Sequence, residues 1–227
     1  SGETIDFGPC AFMDQFEFLK VYSSIDRRGR YAYDRQGEIA LWNLTCLANT
    51  LIPLVDKDEK KAVDKLERAL EPLPAYFDEQ NLKVMAHKMG IFDPQDEDRE
   101  IISSFLHYLQ DNQLDFTMSF RSLKQQVEQS FSEENKKPYL EKWQKRLKEQ
   151  KESPEEIILL MNKHNPLIIP RNHQVEKAIS LAYQGDFSHF FTMLEATQSP
   201  YRETEKFSEL KKPPQPSEVV QQTFCGT

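Results

Sequence analysis

The sequence predicts a mainly α fold, and three observations predict it. Apolar residues recur at three- and four-residue steps through most of residues 37–197. Start and stop signals built from Asp, Ser, Asn, Pro and Gly punctuate those stretches. No alternating apolar and polar run reads as a convincing strand.

The elements follow in chain order. Residues 1–35 are irregular and rich in Phe and Tyr, and they read as a long ordered loop packed by its own aromatics. From about residue 37, Leu41, Leu44, Ala48, Leu51 and Ile52 form one apolar helix face. Asp56 with Glu59 three residues on reads as a cap pair that starts a helix running to Leu70. Pro74 opens the next helix, and Gly90 stands where a left-handed residue would end it. Asp93, Pro94 and Asp96 announce a helix carrying Ile101, Ile102, Phe105, Leu106 and Leu109. Helices are then predicted over 116–130 and 138–151. Ser153-Pro154-Glu155-Glu156 has a capping residue, a proline at the first helical position and a glutamate at the third, ahead of Ile157, Leu160 and Met161. Asn165-Pro166 and Ile169-Pro170 force extended turns. A helix from about Asn172 to Gln184 ends at Gly185. The last helix carries Phe187, Phe190, Phe191 and Leu194 as one stripe. After Pro200 the periodicity stops, and Lys211-Lys212-Pro213-Pro214-Gln215-Pro216 reads as an extended tail. Three units result: a loop over 1–35, a helical domain over 36–200 and a tail over 201–227.

Bulk composition narrows the function. The chain has 227 residues, enough to bury a core without disulfide or metal staples. Twenty-nine Lys and Arg against 37 Asp and Glu leave a net charge of −8, which disfavours a dedicated DNA binder. The stretch Ile39–Val55 is interrupted by Asn43, Thr45, Asn49, Thr50 and Pro53, so no membrane span and no membrane partner are expected. No signal peptide is visible. Three cysteines without a CxxC pair point to a reducing, cytoplasmic compartment. The seven glycines are too scattered for GxGxxG or a Walker A loop, so these residues hold no self-contained nucleotide site of either kind.

Five local patterns are candidates for chemistry. In Ile5-Asp6-Phe7-Gly8-Pro9 a carboxylate precedes a glycine turn, the arrangement by which protein kinases hold a phosphate-bridging Mg²⁺. Such an Asp also serves as an ordinary loop residue, and no other part of a kinase-like site fits before Asp6. Asp26-Arg27-Arg28-Gly29-Arg30-Tyr31 could grip phosphate or carboxylate groups, or be a solvated loop with one structural arginine. Pro170-Arg171-Asn172 reads as a helix start with Asn172 as the cap and Arg171 reaching a nearby carboxylate. The Lys-rich helix around Leu140, Trp143 and Leu147 could dock an acidic partner, but interspersed glutamates favour a solvated face. The five histidines lack metal-site spacing. Among the cysteines, Cys46 reads as inert and buried, whereas Cys225 on the tail and Cys10 after the Asp6 turn are redox candidates, with a Cys10–Cys225 bridge as one pairing.

The segment Thr4-Ile5-Asp6-Phe7-Gly8-Pro9-Cys10-Ala11-Phe12-Met13-Asp14 resembles the metal-site segment of the selenoprotein O family of protein adenylyltransferases, which are pseudokinases. The similarity continues in family order. It passes through Gly29-Arg30-Tyr31, Gln36, Trp42-Asn43-Leu44, Asp115-Phe116-Thr117 and Phe120-Arg121. It resumes at Asn165-Pro166 and Ile169-Pro170-Arg171-Asn172, then Gly185-Asp186-Phe187, Pro200-Tyr201 and Thr223-Phe224-Cys225-Gly226-Thr227. The stretch 55–160 is the least diagnostic.

The resemblance implies the C-terminal lobe of a kinase-like fold with extra family-specific helices. It implies transfer of AMP from ATP, or of UMP from UTP, to Ser, Thr or Tyr hydroxyls of proteins. Asp6 would contact nucleotide and hold Mg²⁺ or Mn²⁺, and the loop after it, through Arg30, would act as an activation segment. A second metal ligand, the catalytic Asp and the glycine-rich loop are expected before Ser1, in a preceding half of the same enzyme. The catalytic residues are therefore not assigned here, and these 227 residues alone are expected to be inactive. Cys225 occupies the position of a selenocysteine or cysteine. Some members pair that residue with a Cys where this chain has Tyr22, which leaves Cys10 as a substitute. Two other readings are a phosphate-transferring kinase lobe and a non-catalytic helical interaction module.

Overall fold

The computed structural model describes residues 11–127 and 137–223. Asp6, Cys10 and Cys225 lie outside the described residues. Among those described, nine α-helices and several 3-10 turns form the fold, and a single bridge between Gln15 and Asp115 is the only β pairing. The mainly α expectation holds.

Helix α1 (Gln36–Val55) packs against α2 (Glu59–Leu70) and α3 (Leu73–Lys88). Pro53 sits inside α1 without ending it at once. Thr45 Oγ1 donates to Leu41 O at 2.9 Å and Thr50 Oγ1 to Leu47 O at 2.7 Å, so these hydroxyls are satisfied within the helix and do not break it. The expectation that no apolar stretch reaches membrane length is corrected here. The continuous helical stretch Tyr33–Val55, 23 residues, is long and apolar enough to cross a bilayer by length and composition alone.

The cap of α2 is also corrected. Asp58, not Asp56, accepts from Lys60 N at 3.1 Å and Lys61 N at 3.3 Å. Asp56 is engaged elsewhere, by Lys65 Nζ at 2.7 Å and by Asp58 N at 3.1 Å.

Helix α3 buries Leu82, Met85 and Ala86, a three- and four-residue spacing that faces α4 (Asp98–Asp111) and α7 (Pro154–His164). Gly90 follows it at φ +79, and a Cβ there would lie 2.7 Å from Ile157 Cγ2. Both the backbone and the packing require glycine. Helix α5 (Phe116–Ser122) is shorter than predicted, because the chain tightens into a 3-10 turn over Leu123–Gln126. Helix α6 (Leu140–Lys148) lies within the 138–151 prediction. The Ser153 capping box of α7 is formed, with Ser153 Oγ accepting from Glu156 N at 3.3 Å and Glu156 Oε2 from Ser153 N at 2.8 Å.

The main core gathers Phe105, Leu109, Phe120, Leu123, Tyr139 and Trp143 with Met89, Ile91 and Phe16. Trp143 is fully buried, and its ring N–H donates to Met89 O at 2.8 Å. A smaller cluster joins Leu167, Ile168, Ala196, Phe207 and Leu210. Helices α8 (Asn172–Tyr183) and α9 (Ser188–Thr197) pack together. The predicted stripe Phe187, Phe190, Phe191 and Leu194 is not core, since all four are exposed. Most of it lines an open apolar hollow of about 410 Å³ against Val175, Ile179 and Ala182 of α8.

Candidate functional site

Among the described residues no group of three or more His, Cys, Asp or Glu side chains could hold a metal ion. The described residues that follow Asp6-Phe7-Gly8 in sequence form a packed frame.

That frame begins at Met13–Phe18. Met13 and Phe16 are buried in the main core. Phe16 N donates to Leu114 O at 2.9 Å, and Phe116 N to Asp14 O at 2.7 Å, around the Gln15–Asp115 bridge. The Phe16 ring meets Phe18 edge-on at 4.9 Å, Tyr33 at 5.6 Å, and stacks on Phe116 at 5.5 Å. Among the described loop residues, Phe16, Phe18 and Tyr33 thus pack on one another and on Phe116 of α5.

Arg171 closes the frame. It stands at the start of α8 with its side chain fully buried. Nη1 donates to Asp115 Oδ2 at 2.7 Å and to Asp14 Oδ1, and Nη2 donates to Asp115 Oδ1 at 3.2 Å. Asp115 also caps α5 by accepting from Met118 N at 2.7 Å. Burial pulls the Arg171 pKa down, but the hydrogen bonds and charges of Asp115 and Asp14 outweigh it and raise the pKa. The expectation that Arg171 reaches a carboxylate holds, with two carboxylates rather than one. Asn172, expected as the cap, is the first helical residue instead, and no side chain caps this end. Beside the clamp, burial lowers the His173 pKa against the opposing pull of Asp14 and Glu218.

Beyond the clamp, residues 18–34 form a closed loop. Asp34 N donates to Phe18 O and Tyr33 N to Lys20 O, both at 3.0 Å. At its tip Asp26 accepts from Arg30 N and Tyr31 N, both at 2.8 Å. Desolvation opposes ionisation of Asp26, but hydrogen bonds from Tyr31, Arg30 and Arg28 and the nearby Arg35 charge together outweigh it and lower its pKa. Arg35 Nη1 donates to the carbonyls of Arg28 and Gly29, both at 3.3 Å. Gly29 takes φ +60 in this turn.

The C-terminal tail returns to this loop. Ser24 N donates to Thr223 O at 2.7 Å, Thr223 N to Ser24 Oγ at 3.1 Å, and Thr223 Oγ1 to Tyr22 O at 2.6 Å. Three hydrogen bonds thus join the tail to the loop, two at Ser24 and one at Tyr22. Burial, aided by Tyr33, pushes the Tyr22 phenol up to about 12.

Three cations of the Lys-rich helix are paired. Lys142 meets Glu100 at 2.5 Å, Lys145 meets Glu149 at 3.9 Å, and Arg146 Nε donates to the buried Asp98 at 2.8 Å. It is a solvated face anchored by Leu140, Trp143 and Leu147.

Sequence reasoning missed Lys88. Its ammonium lies 4.7 Å from the Phe120 ring centre and 5.6 Å from that of Phe116, and donates to His164 O at 3.3 Å. Burial lowers its pKa to about 8. Nothing in the local sequence marks it, because both rings come from α5.

Comparison with known proteins defines the class first. Residues 1–198 match the family described as "Protein adenylyltransferase SelO", and the chain belongs to that family. Its relatives are more specific. Proteins named "Protein nucleotidyltransferase YdiU" are 40% identical over 231 residues in Nitrosococcus oceani, 41% over 234 residues in Geobacillus kaustophilus and 42% over 238 residues in Rhizobium meliloti. Each alignment covers 100% of this chain and 47%, 48% and 49% of the respective relative. The chain therefore spans about half the length of the curated relatives it matches.

Proposed function

We propose that this chain is the C-terminal, kinase-lobe-like part of an enzyme that transfers AMP from ATP, or UMP from UTP, to Ser, Thr or Tyr hydroxyls of proteins. The carrying observation is the family match over residues 1–198, which includes Ile5-Asp6-Phe7-Gly8. In the reaction the hydroxyl oxygen bonds to the α-phosphorus, and the bond from that phosphorus to pyrophosphate breaks. Asp6 is the residue assigned to Mg²⁺ or Mn²⁺, whose positive charge would offset that of the phosphates. A carboxylate is the hard oxygen donor those ions prefer.

The chain's own contribution is positioning. Arg171, Asp14 and Asp115 fix the segment that begins eight residues after Asp6, and buried aromatics hold it from the other side. One carboxylate cannot supply the charge neutralisation and orientation that nucleotidyl transfer needs. The residues matching the other half of the relatives would supply the rest, and the 227 residues alone would show no transfer.

Intact-mass analysis of a protein substrate, after incubation with the full-length enzyme and ATP, tests the reading. An increment equal to AMP is expected. An increment equal to phosphate would establish a kinase instead. On the alternative reading as a non-catalytic module, three cations of the Lys-rich face, Lys142, Lys145 and Arg146, are engaged by carboxylates.

A further inference from the structure

The Arg-rich turn at the tip of the 18–34 loop is not used by the clamp, and no bond-making or metal-holding step of the proposed transfer falls on it. We infer that this turn, with the neighbouring end of α1, is a docking surface for an acidic peptide segment that also carries apolar side chains.

The turn's only carboxylate faces inward. Both Asp26 oxygens accept backbone N–H groups, from Arg30 and Tyr31. Arg35 is spent on the carbonyls of Arg28 and Gly29. Arg27 and Arg28 are exposed and have no ion pair among the described residues. Arg30 is held with its guanidinium carbon 4.0 Å from the centre of the Trp42 ring, which aligns a cation with an exposed aromatic face. Ile25, Tyr31 and Trp42 are 60%, 47% and 51% exposed. Arg, Trp and Tyr are the residues that most often dominate binding at protein interfaces.

The surface is also preformed. The loop is closed at its base by Phe18–Asp34 and Lys20–Tyr33 hydrogen bonds and tied on its flank to Thr223. A partner therefore loses little to ordering the loop.

Charge selects the occupant. This patch presents guanidinium groups with no ion pair among the described residues, on a chain of net charge −8. Carboxylates match guanidinium forks in pairs, and apolar side chains match Ile25, Tyr31 and Trp42. A bare phosphate site would need buried donors converging on one point, whereas these guanidiniums are exposed. A nucleic acid carries a longer run of negative charge than Arg27, Arg28 and Arg30 can neutralise.

The test is fluorescence anisotropy at low salt with the 227-residue chain and a fluorescein-labelled peptide of alternating Glu and Leu. No nucleotide or metal is added, so this result stands apart from the nucleotidyl-transfer reading. Binding is expected, weakened at least tenfold in R27E/R28E and several-fold in Trp42→Ala, and kept in K145E/K148E. Circular dichroism confirms folding, and R27Q/R28Q gives the same loss without charge reversal. The inference is overturned if wild type does not bind the peptide, or if R27E/R28E and R27Q/R28Q bind as wild type does. It is also overturned if K145E/K148E causes the loss, or if single-stranded RNA binds more tightly than the peptide.

Discussion

Replacing Arg171 with alanine removes the guanidinium that pairs with both Asp14 and Asp115. The guanidinium is fully buried, and the two carboxylate side chains are only 21% and 11% exposed. Asp115 keeps its hydrogen bond from Met118 N, while no other side-chain donor reaches Asp14 among the described residues. Breaking a buried pair by deleting one partner costs about 3–5 kcal/mol, since the remaining charges stay desolvated and uncompensated. For a chain of this size each kcal/mol moves the melting temperature by roughly 2–4 °C. Arg171→Ala should therefore melt about 6–20 °C below wild type, followed by far-UV circular dichroism at neutral pH. Arg171→Lys keeps the charge but not the fork, and should lose about half as much. A drop under about 2 °C for Arg171→Ala would refute the clamp as a structural linchpin.

Three further outcomes follow from named contacts. Gly90→Ala combines a left-handed backbone with an overlap against Ile157 Cγ2, and should cost about 2–5 kcal/mol by chemical denaturation. Gly185→Ala, at φ +84 with open space around it, should cost only about 1–2 kcal/mol, and equal losses would contradict the packing argument. Lys88 has its folded pKa lowered to about 8 from an ordinary 10.5, so the unfolded chain binds more protons between those values. The cost of burying the charge is full below about pH 8 and is relieved as pH rises toward 10.5. The difference in stability between wild type and Lys88→Met should shift in favour of wild type across that window, by on the order of 1–3 kcal/mol. A pH-independent difference would show that Lys88 is not desolvated. Tyrosine ionisation is common to both proteins and cancels in the comparison.

Local signals were the most legible in the sequence. The Ser153 capping box, Gly90 and Gly185 depend on residues within a turn of one another, so the pattern carries its own geometry. Asp58 displaced Asp56 as the α2 cap because Lys65, nine residues on, engages Asp56. The short pattern could not weigh that partner. Arg171 was readable as reaching a carboxylate, but not which one, because Asp14 lies 157 residues away and Asp115 56. The Phe187–Leu194 stripe announced a helix correctly, yet periodicity does not reveal whether a stripe meets a core or lines an open hollow. The Lys88 environment had no local mark at all. At the candidate site, Asp6 lies outside the described residues, and the clamp, the closed loop and the tail contacts at Ser24 and Tyr22 arise only from tertiary pairing.

The most direct test of the central claim is label transfer from α-³²P-ATP to a protein substrate by the full-length enzyme and its Asp6→Ala variant, with circular dichroism on both. The account predicts that wild type transfers label while the variant, with an unchanged helical spectrum and melting temperature, transfers none. Undiminished transfer by a folded Asp6→Ala protein would contradict it.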